Sequence, residues 1–162
     1  MKTYKWLIIL GNLILLLAYF NYSVLQKEEL LRDGELVLLK LAPVDPRSLM
    51  QGYYMALRYE LSEGILTDSI PKRGYCVVLL DTNGIARKVR FQKDPTPLQP
   101  GEKLIAYTSP DTWNVNIGAE SFFFQEGQAG NYEKAVYGGV KIDRKGNSLL
   151  IGLYDEDLGK ID

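Results

Sequence analysis

Three glutamates late in the chain, Glu120, Glu126 and Glu133, are the first groups to weigh for chemistry. A carboxylate pair can serve as acid and base, or as acid and nucleophile, on a glycosidic bond when the two groups face each other about 5–10 Å apart in a cleft. The sequence gives no ground for placing any two of them face to face, and three acids within 14 positions is unremarkable in a chain with 20 acidic residues. Glu126, directly before Gly127, reads as a residue that caps or turns the chain. No alternating Asp/Asn run ending in glycine accompanies them, so the sequence leads us to expect no metal site and no cofactor.

Other nucleophiles and bases are scarce. The chain has no histidine, which removes Ser-His and Cys-His pairs and leaves carboxylates, lysine, tyrosine and hydroxyls for any chemistry near neutral pH. The single cysteine, Cys76, sits in an apolar run from Tyr75 to Leu80 and reads as a buried structural thiol. With 19 basic and 20 acidic residues the net charge is −1, so no overall field gathers nucleic acid, and nucleic acid is not an expected partner. Arg87, Lys88, Arg90 and Lys93 form a basic cluster without a glycine-rich phosphate loop, which reads as the solvated face of a strand.

These groups need a scaffold, and the patterning predicts a mainly β one. Leading apolar runs at 35–41 and 54–61 read as strands, separated by a proline-rich connection at 42–48 that blocks a helix. Runs at 74–80 and 85–92 flank Asp81, Thr82, Asn83 and Gly84, a hairpin signal that predicts a type I′ turn. Strands follow at 103–108 and in the run Phe122, Phe123 and Phe124, then a short helix within 128–136 and a closing hairpin at 139–143 and 148–154. Some eight short strands and one minor helix predict a small antiparallel barrel-like or sandwich domain over residues 34–162.

Residues 1–33 predict an anchor and stalk. From Trp6 to Leu25 there is no charged residue, and 20 helical residues span about 30 Å, the thickness of a hydrocarbon core. Trp6 at one end and Tyr19, Phe20 and Tyr22 at the other sit where interfacial aromatics belong. No small-residue cleavage site follows the apolar run, so an uncleaved anchor is expected rather than a removed signal peptide. Lys2 and Lys5 precede the span and Lys27 and Arg32 follow it, a balance that the free amino terminus tips toward a cytoplasmic N-terminus and an extracytoplasmic domain. Asn12 is satisfied within its own helix or bonds a partner helix, with Gly11 permitting close approach.

Gly52, Tyr54, Leu57 and Tyr59 carry a motif that resembles the GDYXXLXY family of bacterial membrane-anchored proteins. The approach from Val44 to Leu49 is similar to the family's, as is a second block with Glu120, the phenylalanine run, Glu126, Gly127, Tyr132 and Glu133. Tyr53 stands where the motif has Asp. An aspartate after glycine at a strand start satisfies loop N–H groups in an Asx turn, a role compatible with replacement by tyrosine, whereas catalysis is not. The motif therefore reads as structural, with Tyr54 and Tyr59 as sheet or core aromatics whose hydroxyls find partners. The resemblance implies a protein held in the cytoplasmic membrane, its domain on the periplasmic or extracytoplasmic side, working beside a polytopic membrane protein.

A fainter resemblance, a turn followed by leucine, glycine and a strand, is similar to the nucleophile region of type I signal peptidases, which use a serine and a lysine base. Here the nucleophile position falls on Val44, the nearby hydroxyl is Ser48, and Lys88 or Lys40 would be the base. The sequence thus favours a non-catalytic accessory or binding module. A Ser-Lys peptidase, or an inactive relative of one, is the alternative.

Overall fold

The computed structural model describes residues 2–42, 50–51, 54–63, 70–110, 115–125 and 127–161. Helix α1, Lys2–Asp33, is 32 residues long, or about 48 Å. Its large apolar side chains from Trp6 to Leu25 are exposed on every side, the distribution of a helix made for an apolar surrounding rather than for one packed face. Length and composition make α1 sufficient to cross a membrane. The helix ends at Asp33, with the Gly34 N–H donating to the Leu30 carbonyl at 2.9 Å. Glycine is needed there for space: a Cβ would lie 2.3 Å from the Leu30 carbonyl oxygen and 3.1 Å from Lys141 Cβ.

Beyond α1 the fold is mainly β, with three sheets curved around one core into a half-barrel and every ladder antiparallel. The first sheet begins at β1 (Glu35–Lys40), and the second is β2 (Met50–Gln51), β3 (Tyr54–Ala56) and, later in the chain, β7 (Ser121–Phe123). The third is β4 (Arg73–Leu80) between β5 (Ala86–Gln92) and β6 (Glu102–Thr108). After the one-turn helix α2 (Ala129–Tyr132), strands β8 (Tyr137–Ile142), β9 (Ser148–Tyr154) and β10 (Lys160–Ile161) complete the first sheet in the order β1-β8-β9-β10.

Backbone bonds stitch the sheets together. Leu38 N–H donates to the Gly84 carbonyl at 2.9 Å, and Ala106 N–H to the Gly146 carbonyl at 2.8 Å. Val37, Leu39, Cys76, Val78, Ile105, Val140 and Leu153 bury their side chains between the sheets.

Three of the hairpins share one device. In each an aspartate N–H donates to a carbonyl four residues on, while its carboxylate accepts backbone N–H groups of the turn: Asp81 with Asn83 and Ile85, Asp143 with Lys145 and Asn147, Asp155 with Gly159. Only the fourth residue takes a left-handed conformation, Gly84 at φ 78° and Gly146 at φ 86°, with Leu158 at φ 63° in the third. The predicted type I′ turn is therefore corrected: Asn83 keeps an ordinary φ because the loop has three central residues, the arrangement of a type I turn closed by a left-handed residue.

Two further expectations change. The strand predicted over 54–61 is regular only to Ala56; one further bond, from Leu57 N–H to the Glu120 carbonyl, follows before the chain turns through a 3-10 turn at Glu60–Ser62. On β5, where the sequence has Arg87, Val89 and Phe91 alternating with Lys88, Arg90 and Gln92 as on a strand with one wet face, a bulge skips Val89: Val77 pairs with Arg90 and Val78 with Lys88. The basic cluster is thereby divided. Lys88 donates to the Leu61 carbonyl at 2.9 Å and lies 5.6 Å over the Phe91 ring, and Arg90 is held by Glu102, while Arg87 and Lys93 face solvent.

Candidate functional site

The two sequence blocks that carry the motif are far apart in the chain and adjacent in space. Strand β3 pairs with β7 in the register Tyr54 with Phe123, Met55 with Phe122 and Ala56 with Ser121. The pairing continues inward through the bond from Leu57 N–H to the Glu120 carbonyl at 2.7 Å. Leu57 is buried, and Tyr59, 1% exposed, reaches across to donate its hydroxyl to the Ala119 carbonyl at 2.5 Å. Its ring lies against Gly138 of β8, where a Cβ would come within 2.9 Å of it. Burial, with the nearby Glu120 charge adding to it, raises the Tyr59 phenol far above its ordinary range, so this hydroxyl stays protonated.

The segment Val115–Glu120 that receives Tyr59 is bound along its whole length. Ser62 Oγ donates to the Val115 carbonyl at 3.1 Å, Ser148 Oγ to the Ile117 carbonyl, and Asn116 exchanges backbone bonds with Thr108 at 2.8 Å. The Glu120 carboxylate folds back on its own chain, accepting from Ile117 N–H and from Gly118 N–H at 3.1 Å. Glu120 is thus employed as a backbone acceptor. Glu133 is exposed at the end of α2, and Glu126 lies outside the described residues together with Gly52, Tyr53, Val44 and Ser48. Gly127 adopts φ 83° with open space where a Cβ would be, so it serves as a turn residue.

The outer end of the same pair of blocks is different. Along β7 and just beyond it, side chains alternate: Phe122 and Phe124 turn inward onto the buried Tyr132 ring of α2, with centroids 4.9 and 5.6 Å away. Phe123 points out, is 73% exposed, and meets the Tyr54 ring at 6.0 Å. The alternation of three consecutive phenylalanines on a strand is the signal for an outward Phe123; the composition of the run gives no hint of it. Gly138 likewise carried no sequence signal, because its role is the room it leaves for a ring 79 positions earlier.

Among the described residues, Lys40 and Cys76 are placed unfavourably for catalysis. Lys40 pairs with Glu60 at 2.9 Å, which raises its pKa, the opposite of what a general base requires. Cys76 is fully buried on β4, and burial pushes its thiol up to about 12, with Lys88 opposing only in part. Among the described residues no three His, Cys, Asp or Glu side chains gather as a metal site.

The fold and this junction define a class: a mainly β domain behind an N-terminal helix able to cross a membrane, organised around paired tyrosine and phenylalanine blocks. The chain belongs to the GDYXXLXY protein family, whose profile matches residues 16–153. Comparison with curated proteins and with solved structures gave no match.

Proposed function

We propose that this protein is a non-catalytic accessory or binding module, held by an uncleaved α1 in a bacterial cytoplasmic membrane and acting with a polytopic membrane protein. Residues 1–33 form the anchor and stalk, and residues 34–162 form a domain on the periplasmic or extracytoplasmic side. The observation that carries this reading is the aromatic pair Tyr54 and Phe123, built jointly by the two family blocks and presented outward. Exposing a phenylalanine on a sheet face gains nothing for the isolated chain, whereas aromatic side chains are favoured anchors at protein interfaces. Internal use of Tyr59, Glu120, Cys76 and Lys40 supports the absence of catalysis.

Asn12 adds support from within the membrane. Its amide has no hydrogen bond among the described residues, while Asn21 bonds the Leu17 carbonyl of its own helix at 2.8 Å. An unsatisfied amide in a lipid-facing helix seeks a partner helix, and open space at Gly11 allows one to approach. Affinity purification from membranes tests the reading. Phe123→Ser and Asn12→Leu should each reduce recovery of one defined membrane protein, and Ser48→Ala should leave it unchanged. A peptidase would show the reverse: loss of proteolytic activity on Ser48→Ala and no stable companion in wild type.

A further inference from the structure

The foot of α1 does not stand clear of the β domain. Leu30 is buried against it, and Lys141 of β8 donates its ammonium to the Leu31 carbonyl. Between helix and domain lies an open cleft of about 910 Å³, with Ser23, Lys27 and Leu30 on the helix side and Arg144, Lys145 and Gly146 of the β8–β9 turn opposite.

The level of this cleft is set by Ser23. Seven residues before Leu30, it lies about 10 Å further down the helix axis, inside the uncharged stretch that ends at Leu25. Ser23 is nonetheless half-buried between Tyr22 and Val24, which are 63% and 53% exposed. Ser23 lines the cleft together with Arg144, Lys145 and Gly146 of the β8–β9 turn, so the cleft reaches the depth where a membrane surface would lie. The shape of the turn is fixed, because the Asp143 carboxylate accepts from Lys145 N–H at 2.8 Å and Asn147 N–H at 2.9 Å, and the Gly146 carbonyl accepts from Ala106.

Charge decides what the cleft suits. Lys103 is paired with Glu35 at 2.6 Å, Asp33 with Arg32 at 2.9 Å, and Asp143 is used within its turn. Lys27, Arg144 and Lys145 have no ion-pair partner among the described residues and are exposed; against them stand Glu29 and the Asp143 carboxylate, the latter turned onto N–H groups of its own turn. Three available cations on two converging walls at headgroup depth match a phosphate ester carrying negative charge.

We propose that this cleft binds the headgroup of an anionic phospholipid, with Lys27, Arg144 and Lys145 as its contacts. The proposal rests on α1 crossing the membrane, and the site would fix the tilt of the domain over the bilayer. The full chain, incorporated into nanodiscs of phosphatidylcholine with and without phosphatidylglycerol, tests it through the lipid retained around the protein. Wild type should enrich phosphatidylglycerol at least about fivefold, the effect of a single cation at the membrane surface. Lys27→Gln, Arg144→Gln and Lys145→Gln together should return the ratio to that of the bulk lipid, while Arg87→Gln with Lys93→Gln, outside the cleft, should leave the enrichment in place. Equal enrichment in the triple variant, or none in incorporated wild type, overturns the headgroup site alone. Failure of wild type to enter the discs overturns the membrane span and the site with it.

Discussion

The two ends of the GDYXXLXY junction are built from the same pair of segments and do opposite things. At the inner end Leu57 and Tyr59 are buried, and Tyr59 ties the chain at Ala119 to β8 at Gly138. At the outer end, five residues before Tyr59, Tyr54 meets a Phe123 ring that is 73% exposed. The difference teaches that one short motif has two jobs: its far tyrosine holds three parts of the fold together, and its near tyrosine helps present a surface. A strand that stopped at Ala56 makes this division, since the chain leaves the sheet between the two tyrosines.

Substitutions at the inner end should be the most damaging. Tyr59→Ala removes a buried aromatic ring and should cost about 3–5 kcal/mol in denaturant unfolding of the detergent-solubilised chain. Tyr59→Phe keeps the ring but leaves the buried Ala119 carbonyl without its donor, for about 1–2 kcal/mol. If Phe costs as much as Ala, the hydrogen bond rather than the packing dominates. Gly138→Ala attacks the same contact from the other side and should cost about 1–3 kcal/mol, because β8 backbone and a packed ring must both give way.

A thiol comparison sharpens the contrast by access. In a Phe123→Cys chain the new thiol should be alkylated at neutral pH, while Cys76 remains unmodified until the domain unfolds. The shift of Cys76 also has a sign in the pH dependence of stability. An unfolded thiol ionises near its ordinary 9.0 and the folded one near about 12, so the folded state holds more protons in that window. Stability from this group is fully present below pH 9 and falls as pH rises toward about 12. Urea midpoints across that range should drop in wild type and drop less in Cys76→Ala. The smallest effect is expected at the outer end: Phe123→Ser should shift unfolding by no more than about 0.5 kcal/mol, since a 73% exposed side chain loses little on truncation.

Much of this architecture is readable in the chain itself. The uncharged stretch from Trp6, the stop at Gly34 and the Asp-x-x-Gly turns at Asp81 and Asp143 act locally, so their signals survive in sequence. The family motif marks both ends of the junction without distinguishing them. What is hidden depends on contacts made across the fold. Val89 lies on the wrong face because a bulge opposite Val77 and Val78 resets the strand. Strand β10 follows a turn whose left-handed position is held by Leu158, so no glycine announces it there. Glu120 looks like a candidate acid in sequence and proves to be a cap for Ile117 and Gly118, because the carboxylate and those N–H groups meet only once the loop has closed.

Site-specific photocrosslinking in membranes tests the division of labour most directly. A photoreactive residue at position 123 should form one discrete crosslinked product with a membrane protein, and the same residue at Val89, an apolar position 45% exposed on β5, should not. Equal crosslinking at both positions, or none at 123 in a chain that is folded and membrane-inserted, would contradict the account.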